Sequence, residues 1–201
     1  DKMMIKVVTY ETTDATVDSQ VVSMKDSGAD VLVTAAIPKY AAQVIRKSYD
    51  IGWKPHHFMT NVSASVGATI TPAGPEKAVG VISSQYLKDP TDPEWKDDPG
   101  MNEWRAFMKK YLPNGDLTDG GYVASYGDCT TMHQVLKQCG TDFSRENVMK
   151  QAANIKNQVV PVLLPGILVN TSPTDYHPIQ QMQLAKWSGT TWTRFGDILA
   201  S

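Results

Sequence analysis

The stretch that decides the fold is DVLVTAAIPKYAAQVIRKSYDIG, residues 30–52. Its start, DVLVT, is a short apolar run, which is typical of a strand buried on both faces of a parallel sheet. From Lys39 to Ile51, small and apolar residues recur at helical spacing, and Gly52 follows where a helix would end. The stretch therefore predicts a strand, a turn and a helix, with no acid, thiol or histidine in the turn TAAIPKY.

Similar units lie on both sides of this stretch. The pattern predicts a strand over 4–10, a helix over 14–28, and further strands over 56–60 and 78–84. The Gly/Pro-rich segment between the last two strands predicts at most a short helix. Strands separated by helices form right-handed crossovers and hence a parallel sheet, so the fold class is α/β.

The second part of the chain has a different character. An acidic, proline-rich segment over 86–100 marks a boundary or an exposed loop. Beyond it the pattern predicts helices over 101–112, 120–140 and 144–156, one strand over 158–164, and a hairpin over 182–199. Three amphipathic helices need a sheet or further helices to cover, so we expect the missing strands to lie outside these 201 residues.

Composition and motifs exclude several functions. The net charge is −2 and no basic stretch stands out, which argues against nucleic acid as a partner. The chain contains no Walker loop, dinucleotide glycine fingerprint, nucleophile elbow or zincin motif. Nothing predicts a metal site, a cofactor or a catalytic constellation, so the sequence favours a protein that is not an enzyme.

The histidines and cysteines are interpreted as structural residues. His56 and His57 are adjacent, so in a strand they would point to opposite faces, and we interpret both as surface or loop residues. Cys129 and Cys139 lie ten residues apart in one predicted helix, about 15 Å along its axis, too far for a disulfide with each other. Small buried residues, or a bridge to a segment outside the chain, remain open for both.

Two turns are candidate ligand loops. In open parallel sheets, ligands bind where the carboxyl ends of the strands lead into helices. The turns TAAIPKY and TNVSAS occupy such places, and both offer small residues, backbone N–H groups and hydroxyl or amide groups. They can hold a small polar ligand without reacting with it, or they can be simple tight connections.

Whole segments of the chain resemble the leucine/isoleucine/valine-type periplasmic binding proteins of ABC importers. The similarity lies in GADVLVTAAIPKYAAQVIRKSYDIGWKPHHFMTNVSAS, AVGVISSQYLKDPTDPEWKD and GGYVASYGDCTTMHQVLKQCG, in the order of the family. The resemblance implies the type I periplasmic binding fold, with two parallel-sheet lobes flanked by helices, and a chain that covers the rear portion. It implies a C-terminal lobe over 1–88 and 177–201, an incomplete N-terminal lobe over 92–168, and hinge crossings near 86–92 and 168–177.

The resemblance also implies where a solute would bind. The expected contacts in the C-terminal lobe are Ala36, Ile37, Lys39, Tyr40, Asn61, Val62 and Ser63. In members of this family that bind amino acids, the third-strand loop carries an acid for the ammonium group, and here that place falls nearest Val62. A buried ammonium without a carboxylate is costly, so the departure favours an aromatic or aliphatic carboxylate.

The function implied is a periplasmic, non-enzymatic receptor that captures a small solute between two lobes and delivers it to an ABC permease. Two alternatives remain: the ligand-sensing domain of a signalling receptor with the same fold, and an α/β enzyme with its site in the cleft. Because the lobe is incomplete, we also expect self-association or pairing with a retained N-terminal piece.

Overall fold

A computed structural model describes residues 3–200 of the chain. The strands are Val31–Thr34 (β1), His56–Met59 (β2), Ile82–Gln85 (β3), Gln181–Trp187 (β4) and Trp192–Ala200 (β5). The α-helices are Asp18–Asp26 (α1), Pro38–Asp50 (α2), Thr71–Ala73 (α3), Pro99–Tyr111 (α4), Gly120–Gln138 (α5) and Arg145–Ala152 (α6). The five strands form one sheet in the order β1-β2-β3-β4-β5, and β1, β2 and β3 are parallel. The predicted α/β class is confirmed.

The chain divides into two compact units, each with its own core. The first unit runs to Ser84 and takes in Leu184–Phe195, and the second comprises Gln85–Gln183 and the residues from Gly196 on. The assignment of these units to the two lobes of the family, and of 86–92 and 168–177 to hinges, stays a prediction.

In the first unit, helices cover one face of the sheet. Helix α2 contacts α1, α3 and the π-helical turn Val66–Ile70. Its buried stripe includes Ala41 and Ile45, which pack in a core with Met59 of β2 and with the tryptophans of the β4–β5 hairpin. Trp187 and Trp192 meet at 5.5 Å between ring centroids across this hairpin.

Three sequence predictions about strands are wrong. Residues 4–10 form no strand, and the described chain places no strand next to them for a backbone ladder. Residues 158–164 form only isolated bridges, at Gln158 and Leu163, and Pro161 between them has no N–H to donate. Strand β1 is buried on one face rather than two, since Val33 is 68% exposed.

The second unit packs α4, α5 and the loop over 155–169 around Trp104 and Val162, both fully buried. Lys88 anchors this core through polar contacts. Its buried ammonium lies 2.9 and 2.8 Å from the carboxylate oxygens of Asp98 and 2.7 Å from Pro161 O. Asp98 also accepts a hydrogen bond from Met101 N at 2.9 Å and so caps α4.

We predict that Asp98→Ala lowers the free energy of unfolding by about 2 kcal/mol, because it removes a helix cap and leaves a buried ammonium without its anion. Urea unfolding followed by tryptophan fluorescence measures the change. Asp97→Ala is the matched control, since Asp97 is exposed. An equal loss in both variants would show that the Lys88–Asp98 pair adds nothing to stability.

Candidate functional site

The first candidate loop joins β1 to α2. Ile37 is extended, with φ −71° and ψ 159°, and Pro38 occupies the first turn of α2. Proline is tolerated there because that N–H has no partner within the helix, and it forces the residue before it out of the helical region. Pro38 therefore sets the place where strand turns into helix, which leaves Ile37 43% exposed and Lys39 exposed at the rim.

Tyr40 stabilises this loop through its buried side chain. Its side chain is fully buried, and its hydroxyl lies 2.7 Å from Thr12 O and 2.9 Å from Asp14 O, so it donates a shared hydrogen bond. Its ring lies 4.5 Å from that of Tyr10, whose hydroxyl accepts a hydrogen bond from Ile37 N at 3.0 Å. The two tyrosines thus fasten the loop over 10–14 to the start of α2.

The second candidate loop follows β2. Thr60 N donates to Thr34 O at 3.0 Å and extends the ladder, and Asn61–Ser63 then form a 3₁₀ turn. The buried Ser63 hydroxyl donates to Ala36 O, which ties this turn to the first loop.

The structure therefore brings the seven predicted site residues to one edge of the sheet, but it exposes them unequally. Ile37, Lys39 and Val62 are exposed, Ala36 and Asn61 are half-buried, and Tyr40 and Ser63 are buried. The contact of these residues with a solute stays a prediction.

Sequence reasoning missed the support beneath the loops. Thr34, at the end of β1, places its Oγ1 2.9 Å from Nε2 of His57 in β2. His56 and His57 do point to opposite faces, but the interpretation of His57 as a surface residue is wrong, since it is only 7% exposed. Burial lowers the pKa of His57 to about 4, so its imidazole is neutral near pH 7. The alternation of side chains in β2 could have predicted the burial of His57, because it places His57 on the same face as Met59.

The other candidate residue types do not form a metal site or a disulfide within the described residues. Among residues 3–200, no group of three or more histidine, cysteine, aspartate or glutamate side chains is arranged to hold a metal ion. Cys129 and Cys139 are both free, as their spacing predicts. Cys139 is buried, but Cys129 is exposed, so the interpretation of Cys129 as a small buried residue is wrong. No helix within the same range has the length and apolarity that a membrane span needs.

A family model described as periplasmic binding protein matches residues 3–191. The chain belongs to the periplasmic binding protein family. No curated protein sequence matches it.

Solved structures of this family share the fold at low identity. A branched-chain amino acid ABC transporter protein from Thermus thermophilus, solved with bound valine, has a TM-score of 0.74 at 13% identity. A substrate-binding periplasmic protein from Ralstonia solanacearum gives 0.74 at 16%, and a fatty acid ABC transporter substrate-binding protein from Thermomonospora curvata gives 0.68 at 21%. The matches cover 98%, 92% and 96% of this chain but 52%, 51% and 49% of those chains. The chain therefore spans about half the length of these solved relatives.

We predict that Tyr40→Phe lowers the free energy of unfolding by about 1 kcal/mol, because Thr12 O and Asp14 O lose their hydrogen-bond donor. Urea unfolding measures the loss. Tyr49→Phe on the same helix is the control, since Tyr49 is 54% exposed. If both variants unfold at the same urea concentration as the unmodified chain, the hydroxyl of Tyr40 does not hold the loop.

A second prediction concerns pH. The unfolded chain protonates His57 near pH 6.5, whereas the folded chain resists protonation until about pH 4. The contribution of neutral, buried His57 to the free energy of unfolding is therefore fully present above pH 6.5. As the pH falls towards 4, that contribution is lost, by about 3 kcal/mol in total.

Urea midpoints measured between pH 4 and 7 test this dependence. His57→Gln should flatten the profile, whereas His56→Gln, which changes an exposed neighbour, should leave it unchanged. A profile that keeps its slope in His57→Gln would contradict the assignment.

Proposed function

We propose that the protein is a solute receptor of an ABC importer, with the two loops at the carboxyl ends of β1 and β2 as one wall of its binding cleft. The observation that carries this proposal is the tie from the Ser63 hydroxyl to Ala36 O, which holds the two loops side by side. Membership of the periplasmic binding protein family supports a role in binding rather than catalysis. An extracytoplasmic location and delivery to a membrane permease follow from the same membership and belong to the proposal.

The chemistry of the wall favours a carboxylate solute. Ile37 and Val62 expose apolar side chains suited to an aromatic ring or an aliphatic chain. Lys39 adds a cation at the rim, where its ammonium lies 4.7 Å from the centre of the Tyr40 ring. Neither loop contains an acid, and His57 beneath them is neutral near pH 7, so the wall offers no anion to an ammonium group.

Tyr40 and Ser63 act as supports in this proposal. Their hydroxyls already bond to backbone carbonyls, so they fix the positions of the loops while Ala36, Ile37, Lys39, Asn61 and Val62 form the contact surface. The amino acid bound in the Thermus relative does not transfer to this chain, because 13% identity shows the fold alone. A relative named as a fatty acid ABC transporter substrate-binding protein shares the fold, which is compatible with a carboxylate solute.

Amide chemical shifts measured by NMR test the proposal, because they detect the weak binding expected of a single wall. Benzoate and octanoate should shift the amides of 36, 37, 39, 40 and 61–63 in a saturable manner, whereas leucine and valine should not. Lys39→Gln should weaken carboxylate binding about threefold to tenfold, and Lys54→Gln, an exposed lysine away from the loops, should not.

Val62→Asp provides the converse test. It places an anion where the family resemblance puts the ammonium-binding acid. The variant should therefore bind benzoate and octanoate more weakly and leucine more tightly. Saturable shifts with leucine in the unmodified chain, and none with either carboxylate, would overturn the assignment of the solute class.

A further inference from the structure

One face of α4 points away from the core of the second unit. The opposite face of the helix holds its buried residues, among them Trp104. The exposed face carries four residues at the spacing i, i+3, i+4 and i+7, which places them along one stripe of the helix. They are Glu103, Ala106, Phe107 and Lys110, and we call them the α4 stripe.

Aromatic rings make the middle of this stripe apolar. Phe107 is 40% exposed and Tyr111 is 58% exposed, with 4.9 Å between their ring centroids. Tyr126 of α5 also contacts Phe107, at 5.2 Å between centroids. Three rings that are joined by these contacts and remain partly open to solvent form a fixed apolar surface, which is typical of a protein–protein contact.

Opposite charges lie at the two ends of the stripe. Burial and the neighbouring Glu103 carboxylate raise the pKa of the Tyr126 phenol, which places Glu103 at the edge of the aromatic patch. At the other end, the Lys110 ammonium lies 4.9 Å from the centroid of the Tyr111 ring. The order along the stripe is therefore acidic, small, aromatic and basic.

This order is complementary to its own reverse. If two α4 helices lie antiparallel about a twofold axis between residues 106 and 107, Glu103 of each copy faces Lys110 of the other copy. Ala106 of each copy then faces Phe107 of the other. Opposite charges meet at both ends, and each large ring meets a small side chain that lets the helices approach closely.

We propose that the α4 stripe is a contact surface between two copies of this chain, in which the two α4 helices pair antiparallel about a twofold axis. The Phe107 rings and the flanking Tyr111 rings supply the apolar centre of the contact. The two Glu103–Lys110 pairs fix the antiparallel direction. The contact is independent of the solute class and of the candidate loops.

The stripe is distinct from the open apolar space of the second unit. That space is lined by Ala124, Asp128 and Met132 of α5 among others, and by no residue of α4. Tyr126, which borders the stripe, is not part of the lining, because it lies on a different face of α5. Polypeptide that fills this space therefore leaves the α4 stripe exposed.

The charges of the stripe argue for a second copy rather than a strongly charged partner. The stripe carries one acid and one base, and only a partner with the reverse order of charges satisfies both ends. A second copy in the antiparallel direction supplies that order by symmetry. One helix from each copy gives a small contact area, so we expect association at high protein concentration rather than a permanent dimer.

Sedimentation velocity at increasing protein concentration tests the proposal through charge reversal. The unmodified chain should form dimers. Glu103→Lys or Lys110→Glu alone should weaken dimerisation about tenfold, because each variant places two like-charged pairs in the contact. An equimolar mixture of the two variants should dimerise again, since each pair in the mixed dimer joins an acid to a base.

Two further variants serve as controls. Lys109→Glu makes the same change of charge as Lys110→Glu on the same helix, but Lys109 is exposed outside the stripe, so this variant should dimerise like the unmodified chain. The chain that carries both Glu103→Lys and Lys110→Glu should also dimerise, because the exchange keeps the charges complementary. It decides the test even if one single variant does not fold, as judged by circular dichroism.

Three results would overturn the proposal: a monomer at every concentration, single variants that dimerise as strongly as the unmodified chain, or folded variants whose mixture stays monomeric. Equal weakening by Lys109→Glu and Lys110→Glu would show a dependence on net charge alone and would equally refute the contact.

Discussion

The parallel pairing of β1 with β2 is the constraint on which the candidate site depends. Parallel strands end at the same edge of a sheet, so the loops that follow them must lie side by side. The hydrogen bond from Ser63 to Ala36 O and the continued ladder at Thr60 then fix these loops relative to each other. Hydrogen bonds of Tyr10 and Tyr40 fix the start of α2, so hydroxyl groups rather than charges support the surface.

The absence of an anion in the two loops is itself a chemical property of this surface. A site that binds an ammonium group needs a fixed anion, because the cost of burying an unpaired cation exceeds what neutral groups return. Here burial keeps His57 of β2 neutral near pH 7, and its Nε2 lies 2.9 Å from the hydroxyl of Thr34 at the end of β1. In the proposed function, this surface would recognise its ligand by shape, apolar contact and the single cation of Lys39 at the rim.

One face of the sheet in the first unit is covered by helices, and the opposite face is open. Helices α1 and α2 contact each other and cover one side, so the β-branched residues Val31 and Val33 remain exposed on the other. Apolar residues in the end strand of a sheet, next to an unpaired segment with strand-forming sequence, are a combination that folded proteins ordinarily cover. The exposed face therefore follows from helices that cover only one side of the sheet.

The sequence by itself determined the α/β class, the strand–turn–helix unit over 30–52 and the two loops that form the candidate site. It did so because hydrophobic period, Pro38 and Gly52 act locally, and because parallel strands have a fixed relation between order and edge. Tertiary structure alone decided which face of each element is covered. The apolar run of β1 predicted burial on both faces, yet burial depends on which elements pack there, and residues 4–10 lack a strand because pairing needs a partner. For the same reason the roles of Tyr40, Ser63 and His57 as buried supports emerged only with the fold, since a side chain's hydrogen-bond partners come from distant parts of the chain.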